Sequence, residues 1–222
     1  MIISPKNKIQ AFRSFWLHRI LLAMACLLPS ATMAYDYPPA GFTEMGSEAS
    51  PDGNFKIVRF NRDPNDYAKG SQIWLHALKP EFKTQLLFTH ESSVALVISP
   101  DEKFIAINYH RGSGCGLLHV FSCDKDGLFH EIKRDFLDST EKLMRTQLNL
   151  KKDTDFDHNY CMAQSWLREG VLLGSLSERK GDVYRVGEWY FIYDVKNDRF
   201  LRDLSELNQN AFQLMKPQTE KK

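Results

Sequence analysis

The feature that most constrains the fold is a turn followed by a strand, which occurs twice. Ser50-Pro51-Asp52-Gly53 precedes the run NFKIVRF at 54–60, and 49 residues later Ser99-Pro100-Asp101-Glu102 precedes KFIAINY at 103–109. Proline presets the backbone of the first turn position, and Asp and Gly suit the positions after it. The aromatic and β-branched runs predict strands. A chain built from such units is expected to form repeated antiparallel sheets.

Each unit continues with two further strands. In the first they are predicted at 72–78 and 84–88, and in the second at 117–121 and 128–132, with a leading strand at 93–98. A fainter third unit lacks the Ser-Pro-Asp turn, and its strands are predicted at 161–167, 170–176, 188–195 and 199–204. Short strands separated by turn residues at this spacing are typical of blade-like sheets.

Two helices interrupt or follow these strands. Asp138 and Glu141 have the spacing of a capping box and predict a helix that runs to about residue 150. Asp203 and Glu206 predict a C-terminal helix in the same way. The expected fold class is therefore mainly β, with one helical insertion and a C-terminal helix.

The two repeats at Ser50–Phe60 and Ser99–Tyr109 resemble the WD40-like repeats of periplasmic TolB-type β-propellers. The resemblance implies antiparallel blade-like sheets, arranged as a propeller or part of one. Closed propellers typically have at least four blades, and three units are counted here. Either residues 35–50 and 135–160 complete another unit, or the sheets form an open assembly.

Residues 1–34 have the pattern of a secretory signal peptide. Four basic residues and no acid precede the apolar run ILLAMACLL at 20–28, and the small residues of Ala31-Thr32-Met33-Ala34 follow it. The run is about half the roughly 20 apolar residues that span a bilayer, so cleavage is favoured over an uncleaved anchor. We expect a single β-rich domain at 35–222, located in the periplasm or secreted, with no membrane span after cleavage.

The charge of the remaining chain argues against nucleic acid as a partner. The whole chain has 29 Lys and Arg and 28 Asp and Glu, and the leader contains four of the basic residues, so the remainder has a net charge near −3. A nucleic-acid binder needs clustered positive charge, and only isolated pairs such as Lys151-Lys152 occur. The expected partner is another protein or an envelope component, and no motif indicates a cofactor.

Three cysteines follow the leader: Cys115, Cys123 and Cys161. In an oxidising compartment an odd number allows at most one internal bridge. Cys115 and Cys123 are predicted at opposite ends of one strand, and Cys123 and Cys161 at opposite sheet edges. The compatible pair is then a Cys115–Cys161 disulfide. A Cys2His2 zinc site that adds His110 and His158, or unpaired structural cysteines, are the alternatives. No metal site is assigned.

The segments at 110–115 and 153–161 form the candidate ligand or interface loop. In up-and-down sheets they share one edge, which would bring together His110, Arg111 and His158 with Asp155 and Asp157. A calcium loop is a weaker interpretation, because His158 stands where such a loop needs glycine and Gln164 where it needs glutamate. A nucleophile formed by Cys115 and His158 lacks a recognisable third group or oxyanion hole, so no catalytic residue is assigned.

These observations predict a binding or assembly protein of a bacterial-type envelope or exterior, more consistent with a non-enzymatic role than with catalysis. The alternative is an envelope hydrolase whose site lies near His110, Cys115 and His158.

Overall fold

The structure, a computed structural model, describes residues 36–112, 114–150, 158–180, 184–201, 204 and 206–208. The first four strands are β1 (Thr43–Ala49), β2 (Phe55–Asn61), β3 (Ser71–Ala77) and β4 (Gln85–His90), with a 3-10 helix at Tyr67–Lys69. The next are β5 (Val94–Ile98), β6 (Phe104–His110), β7 (Cys115–Cys123) and β8 (Phe129–Glu131). Helix α1 (Phe136–Gln147) then precedes β9 (His158–Arg168), β10 (Val171–Lys180), β11 (Tyr184–Asp194) and β12 (Arg199–Phe200).

These strands form three antiparallel units, β1–β4, β5–β8 and β9–β12, each paired in chain order. A short parallel pairing of β7 with β9 joins the second and third units into one sheet. The described strands form an open array. The predicted fold class, mainly β with a helical insertion, is confirmed.

The two Ser-Pro-Asp turns are structurally equivalent, as the repeat predicts. The Ser50 N–H donates to the Phe55 carbonyl at 3.0 Å, and the Ser99 N–H donates to the Phe104 carbonyl at 2.9 Å. The fourth position of each turn has left-handed backbone geometry, with φ of 70° at Gly53 and 55° at Glu102. Glycine adopts this geometry at little cost, whereas glutamate needs compensating contacts.

Two elements differ from the prediction. Strand β1 was not predicted, because its sequence TEMGSEA lacks apolar alternation, and all seven of its residues are exposed. Helix α1 begins earlier than predicted, because the side chain of Asp135 caps it by accepting a hydrogen bond from the Asp138 N–H at 2.9 Å. The buried ring of Phe136 anchors this extra turn.

The predicted C-terminal helix is not confirmed. Residues 206–208 form a turn, and the segment after them lies outside the described residues. The predicted leader at 1–34 also lies outside them.

The second unit contributes to two apolar cores, because its strands alternate side chains between two faces. On one face Ile105 and Ile107 pack with the first unit. On the other face Phe104 and Ala106 pack with the third unit and α1. The Phe104 ring also stacks on that of Trp166, with 5.5 Å between centroids.

Side-chain amides supplement these cores with a recurring pattern of hydrogen bonds. The Asn108 amide accepts from the Ala163 N–H at 2.7 Å and donates to the Ala163 carbonyl at 2.9 Å, which links β6 to β9. Gln85 makes the same pair of bonds to Phe129, at 2.9 and 2.8 Å, and links the first unit to the second. In each pair one side chain satisfies both backbone groups of one residue, as a neighbouring strand would.

Candidate functional site at the junction of β7 and β9

The loop between β6 and β7 meets the start of β9, as the sequence predicts. Cys115 is the parallel register partner of Asn159, and the Asn159 N–H donates to the Gly114 carbonyl at 3.1 Å. The two ends of this loop are joined, because the Arg111 N–H donates to the Cys115 carbonyl at 2.8 Å. Residues that are far apart in the chain are therefore held together by backbone hydrogen bonds.

Gly116 makes room for the Tyr160 side chain at this junction. It pairs with His110 on one side and with Tyr160 on the other. The His110 and Tyr160 rings have 6.5 Å between their centroids. A Cβ atom at Gly116 would lie 2.9 Å from Cδ1 of Tyr160, so a larger residue there would displace the Tyr160 ring.

Basic residues lie near this aromatic pair in the sheet and in the adjoining loop. His158 lies two residues from Tyr160 on β9, so it shares the face of Tyr160. Arg179 of β10 is the register partner of His158 and is exposed. Arg111 is exposed in the loop that follows His110. Its N–H bonds to Cys115, so Arg111 lies beside this face rather than on it. We call His110, His158, Tyr160 and Arg179, together with Arg111 of the adjoining loop, the junction face.

The structure therefore brings together three of the five residues predicted for the candidate loop: His110, Arg111 and His158. The other two, Asp155 and Asp157, lie outside the described residues. Tyr160 and Arg179 were not predicted. The sequence indicated Tyr160 only weakly, by its position two residues from His158. Arg179 becomes a neighbour of His158 through the β9–β10 register, which the sequence does not reveal.

The predicted Cys115–Cys161 disulfide is not formed in this structure, and Cys115, Cys123 and Cys161 are free thiols. Cys115 pairs with Asn159, so Cys161 lies two residues further along β9. That offset and the strand spacing place the two Cα atoms roughly 8 Å apart, beyond the roughly 6.8 Å limit of a disulfide. Cys123 lies at the far end of β7, as predicted.

Cys161 is a core residue. Its thiol is fully buried and lies 3.5 Å from the Thr140 hydroxyl of α1. Burial raises the pKa of Cys161 to about 12, so the thiol stays protonated at neutral pH. A protonated buried thiol is neither a nucleophile nor a metal ligand.

The arrangement of Cys115 and His158 also does not favour a nucleophile pair. Cys115 and Asn159 are direct partners and share one face, whereas His158 is adjacent to Asn159 and so projects from the opposite face. Within the described part of the chain, no group of three or more His, Cys, Asp or Glu could hold a metal ion. The junction face presents cationic and aromatic groups.

A buried carboxyl group lies on the other face of the same strands. Glu178 is the register partner of Asn159 and is only 1 % exposed. Neither of its carboxyl oxygens has a hydrogen-bond partner among the described residues. Burial raises the pKa of Glu178 to about 8, the negative charge of Glu141 adds to the rise, and Arg145 opposes it.

Glu178 was not identified from the sequence, although a signal existed. It follows the buried Leu172 and Leu176 at even spacing, and this alternation places it on the inward face.

Comparisons with known proteins found only limited similarity in sequence and structure. No protein-family model matches the chain, and no curated protein matches it. The solved structures that are similar include TolB from Acinetobacter baumannii, with a TM-score of 0.36 and 11% identity over 72% of this chain and 32% of the TolB chain. They also include the AtxE2 isopeptidase in its apo form, with a TM-score of 0.36 and 13% identity over 77% of this chain and 31% of that chain.

The chain thus spans about a third of the length of these two structures. Neither comparison relates a residue of this chain to a functional residue of the other protein. Within the described residues, no helix combines the length and the apolar character that crossing a membrane requires.

Proposed function

We propose that this chain is an exported binding or assembly protein of a bacterial-type envelope, and that the junction face is its binding surface. The observation that carries the proposal is that His110 of β6, Tyr160 of β9 and Arg179 of β10 lie on one face of the sheet. Arginine and tyrosine are enriched in protein interfaces. The partner is another protein or an envelope component, and the cationic groups favour an acidic contact region on it.

The location of the protein, in the periplasm or outside the cell, is part of this proposal. It is supported by the basic, apolar and small-residue order of residues 1–34. Mass spectrometry of the protein recovered from the periplasmic or secreted fraction would test it, and the expected first residue is Tyr35. Recovery of the intact leader in the membrane fraction would contradict this part of the proposal.

The proposed surface is tested by charge reversal. R111E and R179E each invert a charge on an exposed side chain of the junction face, so each should weaken partner binding at least tenfold. K125E is the matched control, because Lys125 is exposed in the turn after the far end of β7. Binding is measured as recovery of envelope components on the immobilised protein after crosslinking. Equal recovery by all three variants would contradict the assignment of this surface.

The hydrolase alternative has less support, because Cys115 and His158 project from opposite faces. A purified protein with measurable turnover that H158A abolishes would nevertheless replace the binding proposal.

A further inference from the structure

Strand β1 is the edge of the first sheet, and its sequence is TEMGSEA. It pairs with β2 on one side, and all seven of its residues are exposed. An edge strand presents a row of N–H and C=O groups that can pair with another chain.

Other sheet edges of the described part are covered by side chains. Gln85 bonds to the backbone of Phe129 on β8. Asn208 accepts from the Tyr190 N–H at 2.6 Å and donates to its carbonyl at 2.8 Å, beyond the end of the short β12. On the edge strand β5, the Val97 carbonyl accepts from the Trp166 indole at 3.0 Å.

The described part of the chain shows no comparable cover for β1. Among the described residues, none donates to or accepts from its outer edge. Natural edges are usually blunted by lysine, by proline or by a bulge, and β1 contains neither lysine nor proline. A register shift between Glu44 and Gly46 interrupts its pairing with β2. The regular stretch available for a further strand is therefore Gly46 to Ala49.

The charge of β1 indicates what can pair with it. Glu44 and Glu48 are its charged residues. Among the described residues, Glu48 makes one long contact, 3.9 Å to Arg59, between exposed groups. Two copies joined through β1 would bring four carboxylates to one seam, and like charges across paired strands are destabilising. Lysine or arginine on the added strand would instead form favourable cross-strand pairs.

We propose that β1 is a strand-addition site for an extended, lysine- or arginine-bearing segment of a partner protein. The backbone of Gly46–Ala49 supplies the hydrogen bonds, and Glu44 and Glu48 supply the preference for basic residues. Main-chain bonds provide affinity and side chains provide specificity in such complexes. This inference goes beyond the junction face and does not depend on it.

The test uses a defined probe, a fluorescein-labelled eight-residue peptide of alternating lysine and valine, with fluorescence anisotropy as the readout. The same peptide with glutamate in place of lysine is the charge control. Wild-type protein should bind the lysine peptide at least tenfold more tightly than the glutamate peptide. The variant E44K/E48K should reverse this preference. Absence of binding by the lysine peptide would overturn the proposal.

The matched variant is E81K/E91K, which makes the same change in net charge at two exposed glutamates outside β1. It should retain the wild-type preference. If it loses binding as fully as E44K/E48K, the attraction depends on net charge alone and the proposal is overturned.

Backbone pairing is tested by a lysine peptide that is N-methylated at alternate residues, because methylation removes the donors of one strand edge. It should bind at least tenfold more weakly, and the unmethylated peptide should slow hydrogen exchange in β1. Equal binding of both peptides would overturn strand addition.

The variant R111E should bind the lysine peptide as wild type does, so failure at β1 can be distinguished from failure of the junction face.

Discussion

The carboxylate of Glu102 accepts a hydrogen bond from the side-chain amide of Asn54 at 2.7 Å, across 48 residues of chain. Its other oxygen accepts from the Asp52 N–H at 2.6 Å. Glu102 is the fourth residue of the second turn, the position that Gly53 occupies in the first. Its carboxylate therefore links the second turn to the first by hydrogen bonds. Its side chain is almost wholly buried, at 1 % exposure.

Replacing Glu102 should therefore destabilise the fold by an amount that depends on the new residue. E102A should lower the free energy of unfolding by about 2–4 kcal/mol, because it removes two hydrogen bonds to a charged acceptor. E102G loses the same bonds, but glycine adopts the left-handed backbone without the steric cost that alanine has there. It should therefore be about 1 kcal/mol more stable than E102A. Urea denaturation at neutral pH measures both values.

The control for this series is E81A, at an exposed glutamate. It should change the free energy of unfolding by less than about 0.5 kcal/mol. If E102A is as stable as E81A, the contact between the two turns does not stabilise the fold.

Local signals identified much of the fold from the sequence. The equivalent turns and the strands of the second unit follow from proline, glycine and apolar alternation, all of which act over a few residues. Strand β1 was missed because an exposed strand needs no apolar alternation. The Asp135 cap was missed because Asp138 and Glu141 present a competing capping pattern three residues later.

The site was predictable in part. His110 and His158 could be placed at one sheet edge because up-and-down connection fixes which strand ends meet. The proximity of His158 to Arg179 depends on the register of β9 with β10. The disulfide prediction failed in this structure for a related reason: convergence of two strand ends does not determine the offset of two residues along them.

Glu178 should make stability depend on pH. Its pKa rises from 4.5 to about 8 on folding, so the folded state holds a proton that the unfolded state releases. Stability should therefore decrease as pH rises from 4.5 to 8, by up to about 1.4 kcal/mol per pH unit from this group, and change little above that range. E178Q should remove this decrease and be more stable than wild type at pH 8.

Thermal or urea unfolding at pH 5, 6.5 and 8 would measure this difference, with E81Q as the exposed control. The charged groups that act on Glu178 are Glu141 and Arg145 of α1. E178Q should match wild type at pH 5 to within about 1 kcal/mol. A difference between E178Q and wild type that is constant across the three pH values would contradict the assignment.

The amide of Asn108 should be more important for stability than its size suggests. N108A should lower the free energy of unfolding by about 2–4 kcal/mol, because the buried N–H and carbonyl of Ala163 lose their partners. N108D should be at least as damaging, since an ionised carboxylate cannot donate to the Ala163 carbonyl. The control is N197A, at an exposed asparagine. Urea denaturation measures the free energy of unfolding of each variant. Equal values for N108A and N197A would show that the hydrogen bonds between Asn108 and Ala163 do not stabilise the fold.

The three cysteines should differ in reactivity in the native protein. Cys115 is partly exposed, so iodoacetamide at pH 8 should alkylate it first. Cys123 should react more slowly, because burial raises the pKa of its thiol. Cys161 should react only after unfolding, since its buried thiol has a pKa of about 12. Peptide mapping by mass spectrometry, with and without urea, measures the order.

Recovery of a Cys115–Cys161 peptide without reduction would contradict the free thiols of the structure. It would also require β9 to shift along β7 by about two residues, because that displacement brings Cys161 level with Cys115.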